Sequence, residues 1–478
     1  MRKTAFLLLA IFFSVLVIPS CERSPQEDEE VVMHATSYEI EAELHKEEKK
    51  VSVSTTIRYS IPADDLSAVK LRLYANVYQG KAVSDDMISA AYPSGVDHGG
   101  FEIKKISDDI EELTYQVGVE DPTVLTVRLS EKKKRGDVLT MTVQGVLSLA
   151  HIKHRIGYED DHYILTEFYP RVCPFSDGKY RVDPYYTYGD PFLHETANYR
   201  VRLIYPVGTN AATSLFPVEH SLKGSNYVTL YEGTQMREFA CVISSRFLCQ
   251  KSESGKTPIR YYYTNDKKSA DTLSYIEEAL AVYEDAFGDY PYESLTVVQA
   301  PFFEAGMEYS GLALIDNSLS TAERKRTILH EIAHQWWHGK VGSDETIHPW
   351  QDEALAEYAV AYFYKHQCEE KNYKKMIDVA TDEYTIYAAV KGDAAIDCPL
   401  SAGESGYKEI TYAKGLLMLS TLAEIVGFDS VNRALKNYAD ANKNVIADPR
   451  SFLSAMTLIK DLPDRYFERW LYTPLPLA

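Results

Sequence analysis

Cysteine is scarce in this sequence, with six residues in a chain of 478. Cys21 follows an N-terminal apolar segment, and the others lie at positions 173, 241, 249, 368 and 398. An odd, widely spaced set excludes a small fold built on disulfides, although export would permit them. We therefore expect two or three domains with packed apolar cores, for which the chain is long enough.

Long apolar runs are missing after the first twenty residues, so no later segment is expected to span a membrane. Residues 1–20 have the order of a secretory signal: two basic residues, a mostly apolar run over residues 5–18 and a small residue, Ser20. The sequence Ile-Pro-Ser-Cys that ends at Cys21 resembles a bacterial lipobox, which implies a lipidated Cys21. The alternative is ordinary cleavage near Ser20 and a soluble exported protein.

Residues 21–30 lack an apolar face and are mostly polar and acidic. Such a segment is expected to be a solvated tether that holds the folded part away from a membrane surface. The predicted location is the bacterial cell envelope, with membrane attachment only through the lipid.

Positive charge is also short, since 50 Lys and Arg residues face 70 Asp and Glu residues and give a net charge of −20. This balance argues against nucleic acid as a partner. An acidic surface suits amine-bearing substrates, but solubility alone would explain it.

Fixed-period repeats and low-complexity tracts are absent from the sequence, and alternation of polar and apolar residues dominates its first half. The clearest cases are residues 38–44, 51–54, 124–129 and 199–206. We predict an antiparallel β domain over residues 31–250, with one sheet face buried. A tyrosine-rich loop at residues 183–191 is expected to pack against its own domain, and the alternative is that it lines a binding cleft.

A polar stretch at residues 249–257 marks the predicted boundary with a mainly helical domain over residues 251–478. The elements predicted first are a strand at 259–263, a helix at 270–287 and a short buried strand at 295–298.

A helix is predicted to begin at Ser320, because Glu323 three residues later completes the form of a capping box. This places its start about three turns before His330, and Gly339 is the predicted stop. An apolar stripe that packs the helix consists of Leu329, Ala333 and Trp336.

A second helix is predicted at about residues 351–366, directly after Pro349. Glu353 lies in its first turn. Glu357, one turn further on, is either a hydrogen-bond partner of a metal-binding histidine or an exposed helix charge.

The spacing of His330, His334 and Glu353 predicts a zinc site with one ion per chain. Residues four apart lie on one face of a helix, so both imidazoles can bind one ion. Glu353 would be the third ligand, which leaves the fourth position for water, as in catalytic zinc sites. Glu331 is then placed to take a proton from that water.

The segment HEIAHQWWHGKVG followed by WQDEALAEY resembles the zinc-binding block of the aminopeptidase N type of gluzincin zinc metallopeptidases. Residues 283–292 resemble the lead-in to that family's catalytic domain, and residues 305–309 resemble its Gly-x-Met-Glu-Asn exopeptidase signature. Residues 412–415 are similar to the segment with its catalytic tyrosine. Residues 166–171 and 237–240 resemble β-domain segments of bacterial members.

The resemblance implies an α+β multidomain fold, in which an N-terminal antiparallel β domain precedes a thermolysin-like, mainly helical zinc-peptidase domain. It implies that His330, His334 and Glu353 bind zinc, that Glu331 activates water, and that Tyr412 hydrogen-bonds the oxyanion.

The resemblance also implies that Glu308 pairs with the free α-ammonium of a peptide, so that only the first peptide bond reaches the metal. Gly306, followed by Met307, would allow the backbone to approach the substrate closely. Glu167 would supply a second carboxylate from the β domain.

This sequence departs from the family pattern in four signature positions and in its length. Ala305 and Tyr309 replace the first Gly and the Asn of the exopeptidase signature, and Asp352 and Ala354 flank Glu353 where Asn and Gly are common. The chain ends at Ala478, soon after the tyrosine segment, whereas larger members have a further helical domain. We therefore expect an open cleft.

The sequence predicts a zinc aminopeptidase that acts on peptides with a free N-terminus. One alternative is a gluzincin endopeptidase in which Glu308 does not select free amines. Another is a surface peptide-binding protein, which would require neither Glu331 nor Tyr412.

Overall fold

The computed structural model describes residues 33–252 and 255–474, so the predicted signal, Cys21 and the predicted tether lie outside it. The first half of the described chain is mostly β-structure, with a short helix, α1 (Ile88–Ala91). Its strands are β1 (Ser37–His45), β2 (Lys50–Ser60), β3 (Leu66–Arg72), β4 (Gly100–Asp108), β5 (Tyr115–Val117), β6 (Val124–Lys133), β7 (Val138–Ser148), β8 (Ile156–Glu159), β9 (His162–Leu165), β10 (Arg171–Val172), β11 (Phe175–Ser176), β12 (Lys179–Tyr180), β13 (Ala197–Pro206), β14 (Asn210–Thr213), β15 (Pro217–Lys223), β16 (Asn226–Met236) and β17 (Cys241–Ser244).

The period-two segments are strands, as predicted, and they meet in a seven-stranded sheet of order β15-β16-β13-β1-β2-β7-β4. In β1, alternate side chains from Tyr38 to Leu44 are buried. The pairing is antiparallel throughout except between β1 and β13, which run parallel. Two four-stranded sheets, β10-β3-β6-β5 and β14-β17-β9-β8, complete this β-rich part together with the pair β11 and β12.

The second half is mainly helical around one mixed sheet. Its elements are β18 (Leu248–Ser252), β19 (Ile259–Tyr263), α2 (Ser269–Phe287), β20 (Leu295–Ala300), β21 (Gly306–Tyr309), β22 (Leu312–Asp316), α3 (Thr321–Ala333), β23 (Gly342–Ser343), α4 (Trp350–His366), α5 (Glu370–Lys391), α6 (Gly415–Val426), α7 (Phe428–Ala441), β24 (Ile446–Ala447), α8 (Pro449–Met456) and α9 (Tyr466–Tyr472). The predicted boundary at residue 250 lies inside β18.

The mixed sheet has the order β18-β19-β20-β22-β21, so β21 is an edge strand. β19, β20 and β22 run parallel, whereas β21 pairs with β22 in the antiparallel direction. Helix α4 is the centre of the helical part, because every residue from Trp350 to Tyr364 is buried. Polar side chains on such a helix need partners or a ligand.

An apolar layer joins the β-rich part to the mixed sheet, where Val242 and Phe247 pack in one core with Tyr262 and Leu314. Arg237 adds polar contacts, since its guanidinium donates to the carbonyl oxygens of His194, His338 and Val445. The described residues accordingly belong to one compact unit.

The five described cysteines are unpaired, which agrees with a fold that does not depend on disulfides. In the described part of the chain, no helix combines the length and the apolar character needed to cross a membrane.

Candidate active site

Helix α3 begins as predicted and ends earlier than predicted. Ser320 accepts from the backbone of Glu323, whose side chain accepts from the backbone of Ser320, so the capping box is complete. The predicted stop at Gly339 is wrong, because α3 ends at Ala333 and a wide turn follows over Gln335–Lys340. Gly339 instead allows close packing, since a Cβ there would lie 2.7 Å from the Tyr292 hydroxyl.

The wide turn leaves helical geometry at Trp337 and His338. Trp336 therefore lies beyond the helix rather than on its predicted stripe, but it is fully buried and donates to Gly288 O at 2.8 Å. The turn follows directly after His334, which is the C-cap residue of α3, and so fixes the end of the helix.

The predicted zinc ligands converge on one point. Nε2 of His330 lies 3.0 Å from Nε2 of His334 and 3.1 Å from Oε2 of Glu353. Nε2 of His334 lies 3.5 Å from the same oxygen. Tetrahedral zinc with bonds of about 2.0–2.2 Å separates its ligand atoms by roughly 3.3–3.6 Å. One of the three separations lies in this range and the other two are slightly shorter, so the donors have the chemistry of a zinc site and nearly its spacing.

Each histidine is oriented by a carboxylate on its other ring nitrogen. Nδ1 of His330 lies 3.0 Å from Glu357, and Nδ1 of His334 bonds Asp352. Glu357 is 3% exposed, so the alternative of an exposed helix charge is wrong. Arg326 binds both of its oxygens at 2.7 and 2.8 Å. These contacts direct both Nε2 atoms toward the shared point.

The electrostatics of this centre favour positive charge. Burial alone would lower the pKa of His330, yet the hydrogen bonds that its ring donates to Glu353 and Glu357 raise it to about 10. Burial also opposes charging of His334, but Asp352 and Glu308 raise its pKa well above the usual value. A bound cation would supply this charge while both imidazoles stay neutral.

A second buried group has its ligand atoms within 4.8 Å of one another: Glu308, His338, Glu345 and Asp352. His338 lies 3.3 Å from Glu345 and 3.4 Å from Glu238, so its ring already has carboxylate partners on both sides. Of this group only Glu308 lines the cavity described below. The centre of His330, His334 and Glu353 is therefore the better metal candidate.

Glu331 points into the same cavity beside His330. Its Oε2 is buried and has no hydrogen-bond partner among the described residues. Burial raises the pKa of Glu331 to about 7. Glu353 and Asp190 also raise this pKa, whereas His330 and His334 lower it. A carboxylate with this pKa suits proton transfer near neutral pH.

Tyr412 reaches the centre from a π-helical segment, Tyr407–Lys414. Its hydroxyl donates to Oε1 of Glu353, and its ring stacks on His330 with centroids 6.0 Å apart. The segment can approach α4 closely because residue 415 is a glycine. A Cβ at Gly415 would lie only 2.5 Å from the Cβ of Ala354. Small residues at both positions therefore set the place of Tyr412.

Glu308 lies on edge strand β21 and faces the cavity, as do Gly306 and Met307. The cavity is about 170 Å³. Glu308 is 4% exposed, and its Oε1 has no hydrogen-bond partner among the described residues. Burial and then Asp190 raise its pKa well above the usual value. The free oxygen is suited to a cationic ligand.

Glu167 lies outside the lining of the cavity. It is buried at 3.4 Å from both Arg171 and His194. Burial raises its pKa to about 7 despite the charge of Arg171.

Five lining residues were not among the predicted site residues: Arg155, Gly189, Asp190, Glu304 and Tyr407. Asp190 belongs to the tyrosine-rich loop, for which a cleft-lining role was one of two options. In the structure the loop does line the cleft, and its Tyr188 packs edge-on against Tyr407 with centroids 5.6 Å apart.

Comparisons with known proteins agree with this geometry. A sequence profile described as the peptidase family M1 domain matches residues 272–470. Aminopeptidase 2 of Candida albicans is 25% identical over 211 residues, which cover 40% of this chain and 23% of that protein. Aminopeptidase N of Haemonchus contortus is 26% identical over 275 residues, which cover 51% and 28%. This chain thus spans about a quarter of the length of these relatives.

A solved structure extends the likeness to the whole fold. A mutant M1 zinc metallopeptidase from Deinococcus radiodurans, bound to a Tyr-Ser-Ala substrate, superposes with a TM-score of 0.68 at 15% identity. The match covers 93% of this chain and 95% of that one. The predicted fold class and the resemblance to aminopeptidase N-type metallopeptidases are both confirmed.

Proposed function

We propose that this chain, which carries a peptidase family M1 domain, is a zinc-dependent aminopeptidase that removes the first residue of peptides. The observation that carries the proposal is the buried, unpartnered oxygen of Glu308 in the same cavity as Glu331 and the candidate metal centre.

His330, His334 and Glu353 would hold one zinc ion. When bound, zinc acts as a Lewis acid toward a peptide carbonyl and toward water. Its ligand set is supported by the donor spacing and by the zinc metallopeptidases that share the fold.

Glu331 accepts the proton of the attacking water and passes it to the leaving amine. Its free Oε2 and its pKa of about 7 suit both transfers. Tyr412 donates its hydroxyl to the oxygen on which negative charge develops, and Glu353 holds that hydroxyl in place beforehand.

Glu308 binds the α-ammonium of the substrate. A fixed carboxylate at this point admits the first peptide bond to the reacting groups and leaves later bonds outside. As an edge strand, β21 also offers its backbone to an extended peptide, which can align the substrate along it.

A panel of peptides with free and N-acetylated first residues tests the proposal, with zinc removal by chelator and its restoration. We expect cleavage of free peptides only, loss of activity with the chelator and recovery with zinc. Efficient cleavage of acetylated peptides would support the endopeptidase alternative instead.

Glu331→Gln separates catalysis from binding. We expect it to keep about one zinc per chain and to lose turnover. If native and variant protein both bind peptides without cleaving them, the chain is a peptide-binding protein rather than an enzyme.

We further propose that the protein is exported to the bacterial cell envelope and anchored through a lipid on Cys21. The proposal is supported by the order of basic, apolar and small residues before Cys21. Detergent partitioning of native protein and Cys21→Ser tests it, with Cys249→Ser as the control because Cys249 is exposed elsewhere. Identical partitioning of native protein and Cys21→Ser would contradict the anchor.

A further inference from the structure

One wall of the cavity is formed by three charged side chains that the proposed chemistry does not use: Arg155, Asp190 and Glu304. Nη2 of Arg155 lies 2.6 Å from Asp190 Oδ1 and 3.2 Å from Glu304 Oε2. We call these three residues the acidic rim. Two carboxyl groups share a single guanidinium here. Burial raises the pKa of Asp190 to about 7, so the rim is negatively charged once Asp190 has lost its proton.

The guanidinium of Arg155 is held by neighbours on several sides. Its Nε donates to Met307 Sδ at 3.3 Å, and its Nη1 lies 3.0 Å from His154. His154 is in turn held by Tyr78 at 2.6 Å. Arg155 is 5% exposed, so it serves as a fixed support for the carboxylates rather than as a contact for ligands.

Glu304 is the accessible member of the rim. Its side chain is 27% exposed, compared with 12% for Asp190 and 6% for Arg155. It also has the longer of the two contacts to the guanidinium. Part of its hydrogen-bonding capacity therefore faces the cavity.

The charge balance of the cavity shows that Glu304 lacks a full cationic partner. The lining contains five carboxylates and one guanidinium. Zinc would offset Glu331 and Glu353, the substrate α-ammonium would offset Glu308, and Arg155 offsets one carboxylate of the rim. When all five carboxyl groups are ionised, one charge therefore remains without a cation in a partly buried site, where charge pairing is stronger than in water.

We infer that the cavity selects peptides whose first residue has a positively charged side chain, lysine or arginine, and that Glu304 contacts this charge. The inference rests on the proposed aminopeptidase function. Asp190 and Arg155 act as positioning residues for Glu304, and an acidic first side chain is repelled.

The test compares pairs of substrates that differ mainly in charge: lysine against methionine, and glutamate against glutamine, as the first residue of otherwise identical peptides. We expect the native, zinc-loaded chain to have a higher kcat/KM for lysine than for methionine, and a lower one for glutamate than for glutamine. Glu304→Gln should reduce the lysine-to-methionine ratio about tenfold, the effect of losing one hydrogen bond between charged groups.

The ratio is measured within one protein sample, so a smaller fraction of folded Glu304→Gln does not affect it. Glu304→Asp keeps the charge and should restore part of the ratio. Glu293→Gln, at an exposed position outside the cavity, removes one charge as a matched control and should leave the ratio unchanged.

Two outcomes overturn the inference in different ways. In the first, methionine peptides are cleaved, but the native chain does not prefer lysine, or Glu304→Gln keeps the native preference for lysine. The acidic rim then does not select the first side chain, while the aminopeptidase function stands. If no free peptide is cleaved by the zinc-loaded chain, the proposed function fails and the inference fails with it.

Discussion

A Cβ placed on Gly306 would lie 2.3 Å from Oε1 of Glu331 and 2.7 Å from a methyl carbon of Thr327. Edge strand β21 and helix α3 therefore approach so closely that only glycine fits between them. This contact joins the strand that carries Glu308 to the helix that carries the proton acceptor.

Gly306→Ala should accordingly reduce kcat by a factor of about 10 to 100, because a displacement of the proton acceptor by about 1 Å is enough for such a loss. None of the three nearest atoms to this Cβ belongs to a metal ligand, so zinc content should stay near one per chain. Steady-state kinetics and metal analysis check both expectations.

Gly80→Ala is the control for this substitution. A Cβ on Gly80 would have its nearest neighbour, Val77 O, at 3.9 Å, an ordinary van der Waals contact. A comparable loss of kcat in Gly80→Ala would show that the effect at Gly306 is not specific to Glu331.

Glu357→Gln should weaken zinc binding about 10- to 100-fold, which is typical for loss of a carboxylate behind a metal-binding histidine. The glutamine side chain is neutral, so it is a weaker acceptor for Nδ1 of His330 than the carboxylate. Arg326 also loses its ion pair with residue 357. Competition with a chelator measures the affinity. Glu278→Gln, exposed on α2, should leave it unchanged.

Local sequence signals were sufficient for the elements that carry the metal ligands. The capping box at Ser320 and Glu323 places the start of α3, and Pro349 places α4 with Glu353 in its first turn. Both signals act within one helical turn, so they can be read without knowledge of the tertiary structure.

The acidic rim could not be predicted in the same way. Arg155 and Asp190 come from the β-rich part and meet Glu304 only because the two halves pack against each other. The predicted helix stop at Gly339 was wrong for a related reason. The glycine is needed for close packing against Tyr292, which is distant in sequence. The contact of Asp352 with His334 was not predicted, although a carboxylate in place of the common Asn beside Glu353 was a signal that could have indicated it.

Tyr412→Phe should lower kcat about 100- to 1000-fold, the usual loss when one oxyanion donor is removed. KM and zinc content should change little, because the ring still packs against His330. Tyr115→Phe, on an exposed strand, is the control. A fall in kcat below threefold would exclude Tyr412 from the reaction.

Lys414 lies two residues after Tyr412 and anchors the same segment. Its Nζ bonds both oxygens of Asp393 at 2.8 Å, with the two side chains 0% and 2% exposed. Lys414→Met should destabilise the fold by about 3–5 kcal/mol, because it removes the cation that offsets a buried carboxylate. Unfolding by urea in the presence of zinc measures this difference.

Lys408→Met provides the matched comparison, since it breaks an ion pair of similar length in the same segment. Lys408 lies 2.7 Å from Glu383, but the two side chains are 68% and 35% exposed. Water and salt screen such a pair, so its loss should change stability by only about 0–1 kcal/mol. Equal effects of the two substitutions would mean that burial of the Lys414 pair does not determine its contribution to stability.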